Sequence, residues 1–141
     1  MIREPIYKKL FDVLSKASGA VTCSRRLRHW SDVAADEQPA LFMTTGEQVA
    51  IRQKGMPTKW QITCHVYLYA RTDEPNETPA IIINNMLDNI EKALEPGAPG
   101  ETQTLGLSQV SHCWIEGNIE TDEGTLGEQA MAIIPVNILT V

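Results

Sequence analysis

Hydrophobic positions along the chain recur with two periods, and the changes of period mark the elements. In Pro5–Ala17, Ile6, Leu10, Val13, Leu14 and Ala17 return every three or four residues, which places them on one helical face. Pro5 suits a first turn, where a missing N–H costs nothing, and Gly19 suits the stop. A second helix is predicted over Thr78–Leu94, with Thr78 as N-cap and Pro79 as first helical residue. Ile83, Met86, Leu87, Ile90 and Leu94 line one face, and Glu95-Pro96-Gly97 ends it.

Lys59–Arg71 alternates instead. Trp60, Ile62, Cys64, Val66, Leu68 and Ala70 point one way, and Gln61, Thr63, His65, Tyr67, Tyr69 and Arg71 the other. Val21–Ser24, Gln38–Thr45 and Val49–Gln53 predict shorter strands, with a turn or loop at Gly46 and Glu47. Arg25–Glu37 reads as polar and irregular, and Pro96–Thr104 as a mobile Pro/Gly loop. Gln109–Glu120 and Gln129–Val141 predict two strands around an acidic connection, Thr121–Glu128. Pro135 cannot donate to a ladder, so the last strand is expected to be an edge or to carry a bulge there. The element order predicts an α+β fold: one mainly antiparallel mixed β-sheet with two α-helices packed on it, a single domain over residues 1–141.

Composition narrows the function. A chain of this size buries enough surface to fold without disulfides or metal. Its net charge of -6 argues against a broad nucleic-acid or membrane surface, which needs a basic excess. Three cysteines, Cys23, Cys64 and Cys113, with no CxxC spacing, read as reduced thiols in a cytosolic setting. The N-terminal residues have no apolar h-region, so no signal peptide is expected.

Candidate chemistry is sparse. Cys64-His65 and His112-Cys113 resemble metal ligands, yet neighbours on a strand point to opposite faces, too few for a closed zinc site. The carboxylates Glu116, Glu120, Asp122, Glu123 and Glu128 read as a solvated acidic hairpin. Glu116 and Glu120 have the same parity and share a face if no bulge intervenes. Arg25, Arg26, Arg28 and Trp30 form the one basic patch, and that mixture favours a protein interface over nucleic acid. Tyr67, Tyr69 and Arg71, on the second face of their strand, are further candidates for a partner contact. No P-loop, GxGxxG, GxSxG or HExxH is present, and Ser108 and Ser111 near His112 complete no triad. No catalytic residue, metal ligand or cofactor is assigned.

Taken in order, several segments resemble the tail terminator (tail-completion, minor tail) proteins of long-tailed phages and prophages. They are Arg25-Arg26-Leu27-Arg28-His29-Trp30-Ser31-Asp32, Glu37-Gln38-Pro39-Ala40-Leu41-Phe42, Pro57-Thr58-Lys59-Trp60, Asn84 to Glu91 with Ala93-Leu94, Ser111 to Gly117, and Gly127 to Leu139. The resemblance lies in order and spacing and covers most of the chain. It implies a non-enzymatic α+β subunit of a ring, typically hexameric, on the head-proximal end of the tail tube. That ring stops tube polymerisation and presents the head-joining surface. The implied partners are further copies of the chain, the tail-tube protein and the head–tail connector protein, with no membrane and no specific nucleic acid. The implied location is the virion tail, after assembly in the host cytoplasm. On this reading the acidic residues Glu116, Glu120, Asp122 and Glu123 line a lumen that passing DNA does not stick to. Three readings compete: another head–tail connector or minor tail protein, a small metal-dependent hydrolase using the acidic hairpin with His112, and a host-interaction module using the basic patch.

Overall fold

The alternation of Lys59–Arg71 organises the molecule. In the computed structural model, which describes residues 1–122 and 127–141, Ile62, Cys64, Val66, Leu68 and Ala70 are all buried on one side of a sheet. The elements are α1 (Arg3–Ser18), β1 (Thr22–Ser24), β2 (Ala40–Ile51), β3 (Lys59–Arg71), α2 (Pro79–Ala93), β4 (Val110–Ile115), β5 (Glu120–Asp122) and β6 (Gln129–Thr140). Two 3-10 turns, Trp30–Asp32 and Ala35–Glu37, interrupt the polar segment after β1. The strand order is β1-β2-β3-β6-β4, with β5 also on β6. β1 runs parallel to β2 and every other pairing is antiparallel. The fold is α+β, with both helices against one face of this mixed, mainly antiparallel sheet.

The helical period places the core. Ile6, Leu10 and Leu14 of α1 and Ile83, Met86 and Ile90 of α2 are buried against β3 and the even-numbered residues of β6, Ala130 to Ile138. Gly19 closes α1 in the left-handed conformation, φ 76°. Thr78 precedes α2 without a side-chain cap, and Pro79 begins it. Among the described residues no helix is long and apolar enough to cross a membrane.

Three expectations change. Gly46 and Glu47 are not a turn: β2 runs through them, and they stand together opposite Thr63, between the pairs Thr45↔Cys64 and Gln48↔Ile62. That is a β-bulge, which bends the strand and sharpens its twist. The run Gln109–Glu120 is not one strand, because Gly117 at φ 104° breaks it between β4 and β5. And β6 is no edge. β3 pairs along Gln129–Leu139, and β4 and β5 share its other side at Val136–Thr140 and Met131–Ile133. Pro135 sits at the break between those two ladders, where no neighbour asks for the N–H it lacks. Gly117 faces it; a Cβ there would come within 3.4 Å of the Pro135 ring.

The loop after α2 is pinned at its far end. Gln103 donates its side-chain amide to Glu95 O at 3.2 Å, and its carbonyl accepts from Cys113 N–H at 2.8 Å.

Cys64 and Cys113 lie in the core, and burial pushes both thiols from 9.0 up to about 12. A thiol that stays neutral when folded but ionises when unfolded favours the fold below the unfolded pKa. That advantage is lost as pH rises from about 9 to 12, at roughly 1.4 kcal/mol per pH unit for each thiol. Urea unfolding at stepped alkaline pH is expected to show this slope, and Cys64→Ala to reduce it. A wild-type slope no steeper than that of the variant would remove Cys64 as its source.

Candidate assembly surfaces

The sheet face opposite the helices is only half covered. Residues 25–38 fold over its β1–β2 end and make a second, small core. Val33 is buried there with Ala40, Phe42 and Tyr69, and Trp30 and Tyr67 pack at its margin. The Phe42 and Tyr69 rings lie 5.5 Å apart. Two polar anchors hold the segment down. Tyr69 donates its hydroxyl to Arg28 O at 2.8 Å, and burial raises its pKa above the ordinary tyrosine value. Gln38 and Gln129, both buried, exchange side-chain amide bonds at 3.0 and 2.9 Å, and Gln129 also donates to Ala70 O and Ala130 O.

The basic patch is thereby divided. Arg25 turns to α1, where it pairs with Glu4 and lies over the Tyr7 ring at 5.7 Å. Arg28 pairs with Glu37 at 2.8 Å and lies over Phe42 at 5.5 Å. Each arginine holds its carboxylate below the ordinary range through these hydrogen bonds. Trp30 is half-buried, so the exposed remainder is Arg26 with Leu27 and His29. Of the other candidates, Tyr69 is withdrawn from the surface, Tyr67 is half-buried, and Arg71 pairs with Glu128 and Asp73.

The acidic candidates are also separated. Glu116 lies beyond the end of β4, accepting from Trp114 Nε1 at 2.9 Å. Glu120 and Asp122 sit on β5 opposite Ile133 and Met131, on the helix-free face, and Glu123 lies outside the described residues. The break at Gly117 cancels the parity argument that joined Glu116 to Glu120. Glu120 instead borders a depression of about 260 Å³ with His65, Tyr67, Asn118, Ile133 and Pro135. His112 stacks on Trp114 at 5.1 Å and accepts from Gln103 N–H at 3.1 Å. It stands opposite Leu139 on β6, well along the strand from Ile133 and Met131, which face Glu120 and Asp122. Among the described residues no three His, Cys, Asp or Glu side chains converge as a cation site would require.

One surface was missed in the sequence. β1 pairs with β2 only as far as Phe42, and β3 first meets β6 at Gln61. Beyond those points the β2–β3 hairpin projects as an arm, with Val49, Ile51 and Met56 exposed. Past Gln48 its charged residues, Arg52, Lys54 and Lys59, are all basic. The available signal was a run of three cations without an acid beside the Gly55-Met56-Pro57 turn.

The chain is similar in structure to a chain described as "Virion of native gene transfer agent (GTA) particle". The TM-score is 0.52 at 8% identity, over 96% of this chain and 90% of that one. A scan against family models gives no match, and neither does a search of curated sequences. At that identity the likeness is one of fold.

Proposed function

We propose that this chain is a non-enzymatic structural protein of a phage-like virion, its 141 residues acting as one domain. The observation that carries this is the near full-length fold likeness to a chain of a virion particle. The surfaces agree with it: a projecting arm, a half-covered sheet face and charged groups engaged in ion pairs suit packing against other subunits. Within the virion we assign it the terminator role. A ring of its copies, hexameric as the sequence resemblance implies, caps the head-proximal end of the tail tube, contacts the tube protein below and the head–tail connector above, and acts without a cofactor.

Electron microscopy of particles from a host lacking this gene tests the assignment. Overlong tails without heads are the expected result. Tails of normal length that lack heads indicate a connector, and normal tails joined to heads overturn the assignment. Complementing the deletion with Glu120→Lys, Asp122→Lys tests the lumen role; unchanged DNA delivery counts against it.

A further inference from the structure

We propose that the arm tip of one copy docks in the groove between α2 and β4 of a second copy. This builds on the ring-forming reading above and names the contact that would make the ring.

The groove holds about 440 Å³. Leu87 and Leu94 of the α2 side, Trp114 and Ile115 of β4, and Ile119, 42% exposed, give it an apolar floor. Glu91 and Glu95 stand on its rim, and no lysine or arginine lines it. The end of α2 adds the negative pole of the helix dipole at the same place. The site therefore selects an apolar side chain flanked by cations.

The arm tip carries that combination. Met56 is 57% exposed and Ile51 38%, with Arg52 and Lys54 between them and Lys59 at the base. No acidic residue occurs from Gln48 to Thr72, in a chain whose net charge is -6. Apolar anchor and charge sign both match, the pattern that fixes partner and register at interfaces.

The topology makes the contact intermolecular. The groove lies past β6, about 10 Å or two strand spacings from the β3 side of the arm and three from its β2 side. The arm leaves the sheet along the strand direction, away from its own groove. Two different patches on one chain that fit each other form a head-to-tail contact, which propagates and closes into a ring when the rotation permits.

The test places a photo-cross-linking amino acid, p-benzoylphenylalanine, at Met56 in the full chain. Irradiation is applied both to the concentrated free protein and to cells assembling particles. Adducts are expected to join two copies and to map to residues 87–95 or 112–119. Glu91→Lys, Glu95→Lys is expected to lower the adduct yield roughly tenfold or more, because like charges then face each other. Adding Arg52→Glu, Lys54→Glu is expected to restore it, with circular dichroism confirming that each variant folds. Adducts elsewhere on the chain, adducts only to a different protein, or no intermolecular adduct in either setting overturn the proposal. The two readings fail separately. Particles that contain the chain but give adducts elsewhere overturn the docking alone. Groove adducts from a chain absent from particles overturn the virion role alone.

Discussion

Gln129→Ala is expected to cost about 3 kcal/mol and to lower the melting temperature by roughly 10 °C. Gln129 is 1% exposed, and its amide nitrogen serves Gln38 Oε1, Ala70 O and Ala130 O. Truncation strips a donor from three buried acceptors, and an unmet buried group costs about 1–3 kcal/mol. It also unties residues 25–38, because Gln38 loses the partner that holds it to β6. A double-mutant cycle with Gln38→Ala is the decisive measurement. The paired amides are expected to couple by more than about 1 kcal/mol, so the double variant is scarcely worse than Gln129→Ala. Strict additivity would mean that the pair does not act as a unit.

Gly46→Ala is expected to be nearly as damaging, at about 3 kcal/mol. A Cβ on Gly46 would stand 2.8 Å from Thr63 O and 3.0 Å from His65 Nε2. The His65 ring has room to turn, but the Thr63 carbonyl belongs to β3, which is paired on both sides. The strand must then separate from its neighbour or lose the bulge. Glu47→Ala, at the exposed position of the same bulge, is expected to fall within about 0.5 kcal/mol of wild type. Urea unfolding of both variants checks this. Equal small effects would show that the bulge yields freely.

What could be read in the sequence follows from range. α1, α2 and β3 declare themselves because their periods are local and each buries one face. The bulge reads as a turn, since a glycine followed by a glutamate carries the same local signal in either setting. The Gln38–Gln129 pair spans 91 residues, and no local pattern reports it. Tyr69 looks available because its strand alternates, but residues 25–38 fold back over it. The basic patch looks whole because its arginines are close in sequence, while Glu4, which takes Arg25, lies 21 residues earlier. Local patterns therefore disclose the scaffold, and the surfaces depend on which distant segments cover it.

The arm has a mechanical consequence. Its root is gripped: Arg3 donates to Gln48 Oε1 at 2.7 Å and lies over Trp60 at 4.8 Å, and Gln48 donates to Tyr7 OH at 3.0 Å. At and beyond that grip, residues 50–51 and 59–60 form a two-stranded ribbon that no third strand pairs, just past a bulge. Two-stranded ribbons vary in twist more readily than broad sheets. The ribbon thus acts as a compliant extension of a gripped root on a stiff body. On the docking proposed above, small angular errors between successive copies would be absorbed there, leaving the core undeformed, so one chain geometry could seat on neighbours of slightly different curvature.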